Sequence, residues 1–460
     1  MNPLKKVIKK VTNYDAIMQD YIQQKQILAN ISSELEKVKA ELSETKSLLK
    51  SALYNTEEER DYISPEYLAK KRSANKPKIL ICGYYGAQNG GDELMLHALL
   101  SHIDNNKFDI TILLSHNYAL DSSTYFPYRT IHYPKKTDDC RFLAEEFDIF
   151  IWGGGAVIDD HNYHYSGADN NLTYVEMTTS KLAIMLGKKV IVLGVSANKS
   201  INNEKFIEDL QFIIDNSAYF SLRDSNSLKS LLDCKINNLS KIKVIDDLAL
   251  ANKYIIKKKA TKNKKKAISL GFILILTDDN LDYLSSFVQG IINIFDEDRI
   301  IEVNLISFFN QYRHDFDKLT ILSDKLQKRD NVIVSVVDTK LTPEGIAESL
   351  QMSDYLFSMR YHATLIAGFV LGENVISINY GDTHRHYYNK IKYIKDNYIE
   401  NLQEINYNSL SSSSTQKKVK RLIQKSNFYT RNEREYQKIL DALHKEITRN
   451  INNISTKNSL

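Results

Sequence analysis

Short apolar runs, each ending in glycine or polar residues and separated by helical patterns, recur along most of this 460-residue chain. The strand candidates are Lys78–Cys82, Asp109–Leu114, Asp148–Trp152, Lys189–Gly194, Ala218–Leu222 and Lys241–Ile245. Helical spacing lies between several of them, as in Leu94–Ile103 and Val175–Leu186. Such alternation leaves little besides a parallel sheet covered by helices on both faces. A second set follows in Ala267–Leu276, Ile300–Ser307, Val332–Val336, Tyr355–Phe357 and Asn374–Asn379. Between the sets, Lys257–Lys266 is charged and almost without apolar residues, which predicts a linker. The expected fold class is α/β, with two doubly wound Rossmann-like domains at 77–256 and 267–395 and a cleft between them.

The ends of the chain differ. Within residues 1–60, Leu28, Leu35, Leu42 and Leu49 recur every seven residues, Ile31, Val38 and Ala52 fill alternate positions, and Glu and Lys lie between. The pattern predicts a coiled-coil helix making a homo-oligomer through residues 20–53, against the alternative of one long helix folded back on its own domain. Residues 61–76 form a polar linker. The tail, 396–460, carries Tyr436, Ile439, Leu440, Leu443 and Ile447 at helical spacing, an amphipathic helix expected to pack on the body.

Several classes of function are disfavoured. Lys and Arg exceed Asp and Glu by only four, without a basic stripe of interleaved aromatics, so nucleic acid is not an expected partner. Cys82, Cys140 and Cys234 have no CxxC spacing, which argues for a reducing compartment and against a cysteine zinc site. The lysines Lys5, Lys6, Lys9 and Lys10 precede no apolar signal region, and no run reaches the ~18 apolar residues of a membrane span. The expectation is a cytoplasmic protein, with those lysines offering weak peripheral contact to anionic lipid at the inner face of the membrane.

Four segments at strand ends carry candidate chemistry. Gly83–Glu93 holds Asn89, Gly90, Gly91 and Asp92 just before a helix, where glycines let the backbone approach a ligand and free amides attract anions. Asp92 and Glu93 also read as helix caps. The loop is not a GxGxxG match and has no acid placed for a ribose, so a dinucleotide is not expected. Trp152–Asp160, with Gly153, Gly154 and Gly155, reads as a tight turn or a ligand-facing loop. His161 and His164 beside Asp159 are metal-ligand types, but in a polar loop they read as solvated, and neither a metal nor another cofactor is expected. Arg223 could fork a carboxylate or phosphate, or pair with Asp224. Asp246 and Asp247 end another strand and could cap a helix, orient a base or hold a sugar hydroxyl.

The fourth segment places Arg360 and His362 directly after the strand Tyr355–Phe357. A permanent cation suited to bidentate carboxylate recognition thus arrives with a group able to act as a general acid near neutrality. The competing reading is a helix-cap arginine and a satisfied histidine. Tyr380, His384 and Arg385 follow the last strand and could add polar and cationic contacts.

Taken in order, these segments resemble the polysaccharide pyruvyl transferase family. Asn89-Gly90-Gly91-Asp92 matches its N-x-G-D, and Trp152-Gly153-Gly154-Gly155 its strand leading to G-G-G. Arg223-Asp224-Ser225-Asn226-Ser227 approximates its R-D-x-x-S, Asp247-Leu248-Ala249 its aspartate before a small apolar stretch, and Arg360-Tyr361-His362-Ala363 its R-x-H-A. The resemblance spans roughly residues 78–395. The chain departs from the family at Tyr361, where leucine is usual, and after Gly381, where Asp382, Thr383 and His384 replace a frequent lysine.

The resemblance implies a fold like that of GT-B glycosyltransferases and transfer of pyruvate from phosphoenolpyruvate to two hydroxyls of a sugar as a cyclic ketal, in cell-surface polysaccharide biosynthesis. The acceptor would be a sugar or a lipid-linked glycan. On this reading Arg223, Arg360 and loop amides of Asn89, Gly90, Gly91, Gly154 and Gly155 hold the anion, and His362 protonates the methylene carbon. Asp92 positions or deprotonates a hydroxyl, while Asp247, Tyr380 and His384 line the site. The rival expectations are a GT-B glycosyltransferase with a nucleotide-sugar donor and a non-catalytic glycan-binding assembly protein.

Overall fold

The structure, a computed structural model, describes residues 76–114, 128–134, 137–161, 163, 172–252, 267–296, 298–309, 314–327, 329–371, 374–379, 385–399, 402–425 and 433–452. The expected coiled coil at 1–60, the linker at 61–76 up to its last residue, the basic linker at 257–266, and Tyr380 and His384 lie outside them.

Seven strands form the first sheet: β1 (Lys78–Cys82), β2 (Asp109–Leu114), β3 (Arg129–His132), β4 (Ile149–Ile158), β5 (Lys189–Ala197), β6 (Tyr219–Leu222) and β7 (Ile242–Val244). Their order is β3-β2-β1-β4-β5-β6-β7, and every pairing is parallel. Six form the second: β8 (Ala267–Ile273), β9 (Ile300–Ile306), β10 (Val332–Val337), β11 (Tyr355–Ser358), β12 (Val375–Asn379) and β13 (Gln403–Asn406). These run β10-β9-β8-β11-β12-β13, again all parallel. Central strands covered on both faces need continuous apolar sequence, and Ile79, Leu80 and Ile81 of β1 are fully buried between β2 and β4.

The strand order reverses between β1 and β4 in one sheet and between β8 and β11 in the other. Ligands of open α/β sheets bind outside the carboxyl ends of strands at such switch points. The loop Gly83–Asn89 leaves β1, and Met359–Arg360 leaves β11, so both switch points carry the residues singled out above.

Helices alternate with the strands: α1 (Gly90–Leu100), α2 (Thr137–Glu146), α3 (Leu172–Met185), α4 (Glu204–Asn216) and α5 (Ser225–Asp233) in the first domain. The second has α6 (Leu281–Ile292), α7 (His314–Lys325), α8 (Pro343–Gln351), α9 (Tyr361–Leu371) and α10 (Arg385–Asn397). Apolar almost all round, α9 buries Ala363, Leu365, Ile366 and Ala367 completely within one apolar cluster that also contains Leu94, Leu99 and Leu248 of the first domain. No helix among the described residues is long and apolar enough to cross a membrane.

Two boundaries differ from the sequence reading. The strand expected to stop at Trp152 continues to Ile158, because Gly154 and Gly155 adopt φ of +89° and +88° without the strain a side chain would bring. The glycine run is neither a turn nor a loop but an irregular length of β4, pairing Gly153 with Leu193 and Gly155 with Val195 before its register shifts. The second sheet also runs past residue 395, since β13 pairs with β12, and α11 (Ser413–Lys425) meets it where Tyr355 Oη donates to the Ile423 carbonyl at 3.1 Å. With only Ile405 buried, β13 has too weak a pattern to read as a strand. The last helix, α12 (Glu433–Asn452), returns to the first domain, where Tyr436 Oη reaches the carbonyls of Leu250 at 3.0 Å and Asn252 at 2.8 Å.

One buried acid in this frame predicts a pH dependence. Glu176 on α3 is 1% exposed; its Oε1 accepts from Tyr133 Oη at 2.9 Å, and its Oε2 has no partner among the described residues. Burial pushes its pKa up to about 8, against the weaker opposing effect of the Tyr133 hydrogen bond. The folded chain therefore binds a proton that the unfolded chain releases between pH ~4.3 and 8, so this group lowers stability progressively as pH rises through that window. Glu176→Gln should remove that slope and raise stability at pH 8.5 by something on the order of a few kcal/mol, with little change at pH 4.5. Denaturant unfolding of both proteins at the two pH values checks this; parallel pH profiles would refute it.

Candidate active site

Three side chains from separate strand ends meet at the first domain's carboxyl edge. Arg223 follows β6, Asp247 follows β7, and His362 sits in the first turn of α9 after β11. Arg223 Nη1 donates to Asp247 Oδ2 at 3.1 Å and stands 3.3 Å from His362 Nε2, which itself lies 3.4 Å from the same Asp247 oxygen. Arg223 Nη2 donates to Ser196 Oγ at 2.9 Å, and its guanidinium lies 5.0 Å from the centre of the Tyr361 ring. Arg223 is 2% exposed and Asp247 fully buried, so neither is compensated by water.

Burial works against the Asp247 carboxylate, but the His362 and Arg223 charges, with hydrogen bonds from His362 and the Ala249 amide, outweigh it and hold its pKa well below the usual carboxylate range. Burial likewise opposes the Arg223 charge, and Asp247 first among its neighbours reverses that effect. The aspartate is therefore a fixed anion shared by a fixed cation and a titratable ring. This geometry orients His362 as well as pairing Arg223.

Arg360 occupies a second, adjacent position. Its Nη2 donates to both oxygens of Asp315, at 2.8 and 2.9 Å, and its guanidinium lies 5.4 Å from the centre of the Phe309 ring. Asp315 is 1% exposed and also accepts from the Phe309 amide at 2.9 Å. One nitrogen thus carries the whole ion pair. Arg360 Nε is buried with no partner among the described residues, and Nη1 makes no hydrogen bond among them.

The first loop meets the second domain directly. Asn89 bridges to Phe309, and the Gly90 amide donates to the Phe308 carbonyl at 2.9 Å. The Gly91 amide donates to Asn89 Oδ1 at 3.3 Å and Gly86 N to Glu93 Oε1 at 3.2 Å. The amides of Gly90 and Gly91, expected to be open to an anion, are therefore engaged within the protein. These glycines matter instead for the space they leave. A Cβ on Gly91 would stand 1.9 Å from His362 Nδ1, and one on Gly155 3.3 Å from Asp92 Oδ1. Asp92 is 7% exposed in the first turn of α1, against Gly155.

The Gly91 contact carries a prediction. Gly91 lies in a helix with no positive φ, so alanine strains no backbone there, yet its methyl must push His362 aside. Gly91→Ala should cost about 1–3 kcal/mol of stability through overpacking and lower turnover about a hundredfold or more, since displacing a reactive group by ~1 Å costs that much. Wild-type turnover in a folded Gly91→Ala protein would show that His362 need not sit where it does.

Of the residues anticipated from sequence, Arg223, Asp247 and His362 come together, Arg360 and Asp92 stand around them, and Asn89, Gly90 and Gly91 form the seam between the domains. Gly154 faces Met95 and Leu248 rather than the polar cluster. Arg223 pairs closely with Asp247 at 3.1 Å and, through Nε at 3.9 Å, also with its neighbour Asp224, whose carboxylate caps α5 through the Ser227 amide at 2.6 Å. Sequence reasoning missed Asp315 and Ser196: the first reads only as an acid in the first turn of α7, and the second as one polar residue ending an apolar strand. Among the described residues no group of three or more His, Cys, Asp or Glu is placed to hold a metal, and the Asp159 carboxylate accepts from the His161 amide at 2.9 Å.

A family model described as polysaccharide pyruvyl transferase matches residues 89–383. No curated protein matches the chain. Among solved structures it is similar to the UDP-GlcNAc 2-epimerase from Methanocaldococcus jannaschii, at 12% identity and a TM-score of 0.48 over 80% of this chain and 99% of that one. A glycosyltransferase from Rickettsia africae ESF-5 is similar at 12% identity and a TM-score of 0.48, over 84% and 97%. The Neisseria meningitidis UDP-GlcNAc 2-epimerase bound to UDP-GlcNAc shares 13% identity at a TM-score of 0.44, over 83% and 98%.

Proposed function

The chain belongs to the polysaccharide pyruvyl transferase family, a family of transferases, and on that premise we propose that it moves the pyruvyl group of phosphoenolpyruvate onto two hydroxyls of one sugar as a cyclic ketal. The observation that carries this reading is the meeting of Arg223, Asp247 and His362 within 3.1 to 3.4 Å, with Arg360, two residues before His362 in the chain, paired to Asp315. Phosphoenolpyruvate brings a carboxylate and a phosphate, and its enol phosphate reacts at C2 only after a proton reaches the methylene carbon. Two arginines and an oriented histidine at one strand-end cluster supply those needs.

His362 gives its proton to the methylene carbon, which becomes a methyl group while C2 becomes an oxocarbenium-like centre. A sugar hydroxyl adds to C2 and loses its proton, with Asp92 receiving or positioning it. The C2–O bond to phosphate then breaks, and phosphate departs with the electron pair and a proton. The second hydroxyl adds to C2, and its proton restores His362. Arg360, anchored by Asp315 through one nitrogen, turns its remaining donors to the carboxylate, and Arg223 balances charge beside the departing phosphate.

Full-length protein incubated with phosphoenolpyruvate and a panel of sugar acceptors should release phosphate only when an acceptor is present. Release of a nucleotide from nucleotide-sugar donors, with phosphoenolpyruvate untouched, would overturn this reading for a glycosyltransferase.

A further inference from the structure

A cavity of about 230 Å³ lies at the carboxyl end of β5 and the start of α5, with Ser196, Asn198, Asp224, Asn226, Ser227 and Tyr361 in its wall. It adjoins the Arg223 cluster, because Ser196 accepts from Arg223 Nη2 and Tyr361 lies under the Arg223 guanidinium. We propose that this cavity is the acceptor subsite and holds a single neutral pyranose unit, an assignment that rests on the pyruvyl-transfer reading above.

The hydrogen-bonding state of the wall argues for a polyol. Ser196 Oγ accepts from Arg223 Nη2, and Ser227 Oγ accepts from the Ala197 amide at 3.0 Å, yet neither hydroxyl donates to any group among the described residues. Asp224 gives one oxygen to the Ser227 amide, while its other oxygen forms a long ion pair with Arg223 Nε at 3.9 Å and accepts no hydrogen bond among those residues. Ser196 and Ser227 are 3% and 2% exposed, and the Asp224 side chain is 12% exposed. Two donors and one carboxylate acceptor so placed match sugar hydroxyls, each of which accepts and donates at once. Left unmatched by a ligand or water, such buried groups carry a desolvation cost.

Charge and size narrow the class. Lys199 and Lys229 also border the cavity, but Asp224 and Asp233 balance them, so the site has no excess charge to select an anion. Pockets for drug-sized ligands run to roughly 300–1,000 Å³, so this volume suits one sugar ring and not a nucleotide sugar. A ring seated here has its hydroxyls beside Ser196 and Tyr361, at the edge of the Arg223–His362 cluster where C2 of the donor would stand.

The test uses the full chain with Asp224→Asn, which keeps an α5 cap, Ser227→Ala, and Asn226→Trp, which fills the cavity. In phosphate-release assays the acceptor KM should rise about ten- to a hundredfold in Asp224→Asn and Asn226→Trp, while the phosphoenolpyruvate KM stays within about twofold. Unchanged acceptor KM, or an equal rise in both constants, overturns the assignment while leaving the reaction itself standing. Saturation-transfer NMR with a panel of methyl hexopyranosides, and separately with inorganic phosphate, reads binding without turnover. Pyranoside signal lost in Asn226→Trp supports the subsite even if phosphoenolpyruvate proves inert, which would fault only the reaction. Phosphate signal lost in its place, or no pyranoside signal at all, overturns the subsite.

Discussion

Arg223→Ala is expected to lose both turnover and stability, and the two losses should separate on a second substitution. Arg223 and Asp247 are buried together, so removing the guanidinium leaves Asp247 as an uncompensated charge, at a cost of about 3–5 kcal/mol. On the proposed reaction turnover should fall about a thousandfold or more, because the cation assigned to the departing phosphate disappears from a site screened from water. Adding Asp247→Asn to Arg223→Ala removes the stranded charge and should restore much of the stability. It should restore no activity, since the cation is still missing and His362 has lost its anionic partner. Chemical denaturation and steady-state kinetics on the two single variants and the double variant check both halves. An Arg223→Ala protein with wild-type stability and turnover would remove the cluster from the account.

His362→Gln has the opposite profile. The side chain is 13% exposed and borders the cleft, and glutamine retains a polar end for Asp247, so the fold should hold within about 1 kcal/mol. Turnover should drop about a hundred- to ten-thousandfold, the usual contribution of a positioned general acid. The pH dependence of kcat should also lose the limb contributed by that acid, a change that a merely structural histidine would not produce. Retained turnover with an unaltered pH profile would move the acid elsewhere, with Asp92 as the first place to look.

How much of this was legible in the sequence follows from where each signal resides. Strands such as Lys78–Cys82 were plain because a strand covered on both faces must be apolar throughout, and that run has no rival reading. β13 escaped because an edge strand with one buried residue leaves almost no pattern. The glycine run after Trp152 misled because a glycine-rich stretch signals unusual backbone, and only the pairing with β5 shows that the backbone stays in the sheet.

The site was legible as a set of residues and illegible as a set of partners. Arg223 and His362 stand 139 residues apart, and their meeting depends on two sheets presenting their carboxyl ends to one place. The adjacent Asp224 was legible as a partner of Arg223 and does pair with it at 3.9 Å, but the shorter contact, 3.1 Å to Asp247 at the end of the next strand, was not legible. Gly91 shows the same limit. Its spacing suggested an open amide, whereas its function depends on a histidine from the other domain resting where its side chain would be. The cap reading was sound at Asp247, whose carboxylate accepts from the Ala249 amide at 3.0 Å, but at the first helix it fell on Asp92 and Glu93 while Asn89 is the residue that caps.

On the proposed reaction a proton and two sugar hydroxyls are added to the carbons of phosphoenolpyruvate in this cleft. Mass spectrometry of the acceptor after reaction in D2O, followed by back-exchange of hydroxyl deuterium into ordinary water, tests it most directly. The acceptor should gain a pyruvate less one water, with one non-exchangeable deuterium in the new methyl group and one phosphate released per acceptor modified. An acceptor that gains a glycosyl unit, or a pyruvyl adduct with no deuterium in its methyl group, would contradict it.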